Sequence, residues 1–309
     1  MNHEPSAMNP KKTILLTGGT GLIGSELTRL LLEKGYNVTH LSRRKNTVPG
    51  VKTYCWDVAK REIDGQCIDG ADTIIHLAGE GVADKRWTDP QKKAIIESRT
   101  NSIRLVYDLL KKQKHQVKSV ISASGISYYG DSGGQLMSEN SLPGSGFLAN
   151  CCVEWEAAVD EGKSLGLRIA KFRTGVVLDK GGALKKMAAP VKWYIGSPLG
   201  SGKQWIPWIH IKDVIDMYLF ALENEDVEGV YNMVAPVPVT NAQLTKAIAK
   251  QLHRPLWLPN VPAFLLKMLL GEMSTIVLGG AKVSPQKIEA AGFTFGYTDV
   301  ASALIEIYG

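Results

Sequence analysis

The first half of the chain alternates short apolar runs with stretches whose apolar residues recur at helical spacing. "TILLT" (13–17) is a continuous apolar run of strand length. The following "GLIGSELTRLLLEKG" places Leu22, Ile23, Leu27, Leu30 and Leu31 on one face, with Gly35 to stop a helix. Runs at 37–43, 51–57, 71–79, 118–124 and 168–178 predict further strands, and helical spacing predicts helices over 90–114 and 147–164. Strands alternating with helices predict an α/β fold, a doubly wound parallel sheet covered on both faces. After about residue 180 the texture becomes rich in Gly, Pro and Trp, as expected of loops around a cleft. The run 229–235 returns to the sheet, and prolines at 236, 238, 255, 259, 262 and 285 interrupt the helices beyond it. The expected division is a core over 11–180 completed by 229–235. Segments 181–228 and 236–309 form substrate-side loops and a smaller C-terminal lobe.

Chemistry enters at "TGGTGLIG" (17–24), which closes the first strand and opens the first helix. Gly18 permits a tight turn, Gly21 lets a pyrophosphate approach the backbone, and Gly24 lets the helix pack closely. This strand-turn-helix context marks a Rossmann-type dinucleotide site, with Gly18, Thr20, Gly21, Leu22, Ile23 and Gly24 as its phosphate-binding turn. The second strand ends in Ser42, Arg43 and Arg44, where an NAD-preferring site carries an acid for the ribose 2′-hydroxyl. A guanidinium matches a 2′-phosphate in charge and geometry, so the expected cofactor is NADP(H). Asp57 ends the third strand, as an adenine contact or as a turn cap. Ala78 and Gly79 end the fourth and permit close approach to the cofactor, while His76 reads as a core histidine.

Composition narrows the class. Hydrophobic residues make up 44% of 309 and charged residues 21%, which suits a water-soluble domain. The densest apolar stretch, 261–271, is too short to span a bilayer and carries Lys267, and residues 1–12 lack the apolar core of a signal peptide, so a cytoplasmic location is expected. The four cysteines have no metal-ligand spacing, and no metal site is expected. The net charge of +6 is scattered in short basic pairs, which argues against nucleic acid and for a small anionic ligand. Expected partners are a small-molecule substrate, no nucleic acid and no membrane, with the chain a monomer or homodimer.

Together these motifs resemble the extended branch of the short-chain dehydrogenase/reductase superfamily, of NAD(P)-dependent epimerase/dehydratase type. "HLAGE", "KRW", "ESR", "SASGISYYG", "WEAA", "RTGVVLDKGGAL", "PLGSGKQWIPWIHIKDV" and "NMVAP" follow in the order of the YfcH-like epimerase family proteins, and the tail from 261 resembles their C-terminal segment. The resemblance implies Ser42 and Arg43 on the 2′-phosphate, Leu77 and Ala78 beside the cofactor, Arg99 reaching toward it, and Glu80 near the cleft. Trp87 is expected to pack the wall of that cleft. In the superfamily a Ser positions the substrate oxygen, a Tyr transfers the proton and a Lys lowers the Tyr pKa. Ser124 stands in about the expected place for the Ser, with Ser122 a near alternative. Phe147 and Cys151 stand where Tyr and Lys belong, and neither does that chemistry.

Tyr128 and Tyr129, or water, are the substitute proton donors, and either tyrosine also reads as a pocket wall. Arg173 reads as an anion or cofactor contact or a structural ion pair, and Lys203, Gln204, Trp205 and Trp208 as cleft lining. Asp213 is expected to cap the next helix, and His210 is a weaker acid/base candidate. Two functions follow: an NADP(H)-dependent oxidoreductase or epimerase of a small substrate, or a non-catalytic NADPH-sensing module.

Overall fold

Thr73–His76 is buried at all four positions, as a central parallel strand must be. It lies within an eight-stranded sheet seen in a computed structural model that describes residues 12–45 and 48–309. The strands of this sheet are β1 (Thr13–Thr17), β2 (Asn37–Ser42), β3 (Lys52–Asp57), β4 (Glu62–Ile63), β5 (Thr73–His76), β6 (Ser119–Gly125), β7 (Arg168–Thr174) and β8 (Gly229–Met233). Their order is β8-β7-β6-β5-β1-β2-β3-β4, parallel except for the antiparallel edge β3–β4. The chain winds outward from β1 through β4, then returns to β5 on the other side of β1. That reversal opens a crevice at the carboxyl ends of β1, β2 and β5.

Helices α1 (Leu22–Glu33) and α5 (Ile211–Glu223) share a core with one sheet face, and α2 (Asp89–Lys112) and α3 (Phe147–Asp160) with the other. Helix α2 starts where sequence rules place it. The Thr88 side chain accepts from the Gln91 amide, Pro90 sits in the first turn, and Lys111 and Lys112 occupy the last. Helices α4 (Gly182–Lys192), α6 (Asn241–Gln251), α7 (Ala263–Leu270) and α8 (Val300–Tyr308) lie beyond the sheet. Of these, α4, α6 and α8 enclose a second apolar core with Leu178, Ile206 and Trp208.

Three expectations are corrected. The run 168–178 is not one strand: β7 ends at Thr174, and Val176–Leu178 leaves the sheet to pair with Trp208–His210. Gly175 makes the turn, where a Cβ would stand 2.6 Å from the Pro207 carbonyl oxygen. Segment 181–228 is not only loops, because α5 contributes Val214, Met217, Tyr218 and Ala221 to the sheet core. Asp213 does not cap α5. The cap is His210, whose Nδ1 accepts from the Lys212 amide at 3.2 Å, while Asp213 accepts from the Gly296 and Tyr297 amides at 2.7 and 3.1 Å.

Candidate functional site

The glycine turn is built by contact. Gly18 has φ +71°, and a Cβ on it would lie 2.9 Å from the Leu77 carbonyl carbon. A Cβ on Gly24 would lie 2.2 Å from the Gly18 oxygen, so helix α1 starts against the turn only because both residues are glycine. The Thr17 hydroxyl accepts from the Leu77 and Ala78 amides, both at 3.1 Å, and ties the end of β1 to the end of β5. Between these elements lies a cleft of about 640 Å³. That is within the roughly 300–1,000 Å³ of small-molecule sites.

Of the expected cofactor residues, Gly18, Thr20, Gly21, Ser42, Arg43, Asp57, Leu77, Ala78 and Gly79 line this cleft, together with Glu80. Thr20, Ser42, Arg43, Arg44 and Lys45 line a second cavity beside it, whose side chains include three cations and no acid. The Asp57 carboxylate also accepts from the Lys60 amide at 3.0 Å, so it closes the turn while facing the cleft. The residues present fit a dinucleotide: glycines that leave room for phosphates, and cations where a 2′-phosphate would lie.

Leu22, Ile23, Gly24 and Arg99 are absent from the lining among the described residues. Leu22 is 36% exposed and faces Gly181–Gly182, Ile23 packs into the core, and Gly24 serves only the close approach of helix to turn. Arg99 braces from behind. Its guanidinium donates to the Glu80 carbonyl at 2.9 Å and the Ile95 carbonyl at 2.8 Å, and lies 5.1 Å from the Trp155 ring centroid. Sequence reasoning missed one wall. Ala94, Glu97, Ser98, Asn101 and Ser102 face the cleft from α2, and the Ser98 hydroxyl accepts from the Glu80 amide at 2.9 Å. The signal was there: small and polar residues three and four apart on one helix face.

The side chains expected near the chemistry form a buried network. The Ser124 hydroxyl donates to Glu156 at 2.8 Å. Arg173 grips Glu156 with two bonds of 2.7 and 2.9 Å and donates to the Tyr129 hydroxyl at 3.0 Å. Tyr129 donates in turn to the Asn232 side-chain oxygen, Oδ1, at 2.6 Å. Burial alone would lower the Arg173 pKa, but the bonds to Glu156 and its charge outweigh burial and hold it raised. Burial raises the Tyr129 pKa, and Arg173 and Asn232 only partly oppose it. Glu156 was not foreseen, because its partners lie 17 and 32 residues away.

This arrangement corrects two residues. Arg173 is not open to a substrate: its side chain is 3% exposed and saturated by Glu156 and Tyr129, with the Tyr128 ring centroid 3.3 Å from its guanidinium carbon. Trp208 does not line a cleft: it is 1% exposed in the second core and donates to the Val237 carbonyl at 3.0 Å. Trp205 is half-buried with Lys282 over its ring, and Tyr128 is half-buried at the end of β6. Tyr129 is buried, its hydroxyl bonded within the network.

Phe147 packs edge-on to Trp87 at 4.9 Å, and Cys151 is buried with its pKa raised by burial. His76 is a core residue between Ser122 and Ser102, its pKa lowered to about 3 by burial and then by Arg99. His210 is buried, stacks 3.9 Å from Tyr297, and has its pKa lowered to about 4 by burial and then by Lys212. Among the described residues no group of three His, Cys, Asp or Glu could hold a metal ion.

The glycine turn, the switch-point cleft and the sheet order are those of a dinucleotide-binding fold. The model of the NAD dependent epimerase/dehydratase family matches residues 14–148 and 184–233. The chain belongs to that family. A domain of unknown function (DUF1731) matches residues 261–307, the segment read as peculiar to this group. The epimerase family protein YfhF of Bacillus subtilis (strain 168) is 38% identical over 296 residues, covering 95% of this chain and 97% of its own. Among solved structures, the human epimerase family protein SDR39U1 with NADPH superposes at TM-score 0.85 and 32% identity, covering 96% and 99% of the two chains. A UDP-glucose 4-epimerase from Thermotoga maritima shares the fold at TM-score 0.78 and 17% identity, covering 96% and 97%.

Proposed function

We propose that this protein is an NADP(H)-dependent oxidoreductase or epimerase of a small substrate, working without the superfamily's Tyr-Lys pair. The observation that carries the cofactor choice is the cavity beside the cleft, where Ser42, Arg43, Arg44 and Lys45 converge with no acidic side chain. A 2′-phosphate there gains charge-assisted hydrogen bonds that a 2′-hydroxyl cannot match. The solved structure of human SDR39U1 with NADPH supports the same choice.

When bound, the dinucleotide would supply or accept the hydride, and the chain's own residues do the rest. The Gly18–Gly24 turn holds the phosphates by backbone amides. Ala78 and Gly79, braced through Arg99 and Ser98, form the floor. The Ser124 proton is committed to Glu156, so Ser124 orients a substrate hydroxyl through its lone pairs more readily than it donates to a carbonyl. Tyr128, or water held against it, is the proton donor that best fits, because the Tyr129 hydroxyl is enclosed by Arg173 and Asn232.

The second reading, an NADPH sensor without turnover, draws on the same commitments: Phe147 has no proton to transfer, and Cys151 is buried. Titration with NADPH and NADH, followed by a screen of carbonyl compounds, separates the two. Turnover lost in Tyr128→Phe supports the enzyme. Tight NADPH binding with no turnover across the screen supports the sensor. Arg43→Glu is expected to weaken NADPH binding about 100-fold and leave NADH within about threefold. Equal effects on both would sink the NADP(H) assignment.

A further inference from the structure

The two segments 180–212 and 229–271 contain nine lysines and one arginine but no aspartate or glutamate, in a chain with 30 acidic residues. Most of this sequence folds into the smaller lobe, where α4 and α6 pack together around the second core. Among the described residues, Lys212 alone of these ten cations forms an ion pair, with Glu306. At the carboxyl ends of α4 and α6 the chain also exposes large apolar side chains. Trp193 is 78% exposed, Ile195 58% and Trp257 67%. They form one knuckle: the Trp257 indole donates to the Tyr194 carbonyl at 2.9 Å, and Arg254 lies over the Tyr194 ring at 4.7 Å. Helix α7 begins six residues after Trp257. It buries only Leu266 and leaves Phe264, Met268 and Leu269 about two-thirds exposed.

We propose that this knuckle is a docking surface for an anionic lipid bilayer, with Trp193, Tyr194, Ile195 and Trp257 set among the headgroups. The proposed contact is peripheral: among the described residues no helix is long and apolar enough to cross a membrane. Indole and phenol rings suit the interface between water and hydrocarbon, and unpaired lysines are drawn to an anionic leaflet. Each such lysine contributes about fivefold to partition. A second copy of this chain fits worse, because face-to-face contact would set cations against cations. Nucleic acid would satisfy the charges, but Ile195 and Met268 gain nothing from a phosphate backbone.

The test is sedimentation of the full chain with vesicles of equal phosphatidylglycerol and phosphatidylcholine, and with phosphatidylcholine alone, at about 0.1 M salt. Partition into the anionic vesicles is expected to be at least about tenfold stronger, with a blue shift of tryptophan emission. Trp193→Ser and the pair Lys192→Glu/Lys250→Glu are each expected to reduce it at least about tenfold. These sites are exposed, and an unchanged thermal midpoint confirms folding. No partition of the parent into anionic vesicles overturns the proposal. So does partition that neither variant changes, tighter binding of a single-stranded oligonucleotide, or a solution dimer broken by Trp193→Ser.

Discussion

Removing Arg173 tests the buried network most directly. Its side chain is 3% exposed and that of Glu156 9%, so neither charge has water to fall back on. Arg173→Met deletes two bonds to Glu156, the bond to Tyr129 and the stack on Tyr128. Glu156 keeps Ser124 at 2.8 Å and Lys171 at 3.9 Å, a weak replacement for a two-bonded guanidinium. Breaking one side of a buried pair costs about 3–5 kcal/mol. At about 2 °C per kcal/mol, the low end for a chain of this length, the melting temperature falls by roughly 6–10 °C. Glu156→Leu alone should cost about as much, because it strands the guanidinium. The double variant leaves neither partner's charge orphaned, so its loss should be at least about 2 kcal/mol smaller than the sum of the single losses. Urea unfolding of the four proteins measures this cycle. A melting temperature for Arg173→Met within about 2 °C of the parent, or strict additivity in the double variant, would refute the argument.

Gly24→Ala forces a methyl to within 2.2 Å of a backbone oxygen, so the turn must move. It should cost about 1–3 kcal/mol and weaken dinucleotide binding together with stability, read by melting and by fluorescence titration. Trp208→Ala should cost about 3–5 kcal/mol yet leave dinucleotide affinity unchanged; a selective loss of affinity would return Trp208 to the site. The buried histidines predict acid sensitivity. His76 and His210 titrate at about 3 and about 4, below the ordinary 6.5, so below pH 6.5 the unfolded chain binds the extra protons. Their contribution is complete above pH 6.5 and is lost as pH falls, by roughly 3 kcal/mol for His76 alone at pH 4.5. His76→Gln should flatten the urea midpoint between pH 7 and 4.5, and an unchanged slope would contradict it.

The sheet was legible because its strands are buried on both faces. Thr13–Thr17 and Thr73–His76 read as apolar runs whatever packs on them. The glycine turn was legible because its spacing is local: Gly24 closes on Gly18 and Gly19 within the turn, although a Cβ on Gly18 is forbidden by Leu77 and Ala78 beyond the end of β5. Trp208 was misplaced, and Arg173 left open between a ligand contact and an ion pair, for the opposite reason. Polar or aromatic residues at strand ends read as site residues, and only the fold shows Glu156 arriving from α3, or the second core closing over an indole. Asp213 failed likewise, since its acceptors are satisfied by amides 83 and 84 residues away.

Phe147, Cys151 and the Glu156 of the buried network belong to the same helix. The first turns of α3 carry Phe147 against Trp87 and Cys151 in the interior. One turn further, Glu156 reaches the Ser124 hydroxyl and the Arg173 guanidinium. A lysine at position 151 would bring an ammonium toward Arg99, already buried there and with its own pKa lowered by that burial. With Cys151 in that place Arg99 braces the backbone at Glu80, and Phe147 forms an apolar wall with Trp87. Through Glu156, α3 ties the end of β6 at Ser124 to the end of β7 at Arg173.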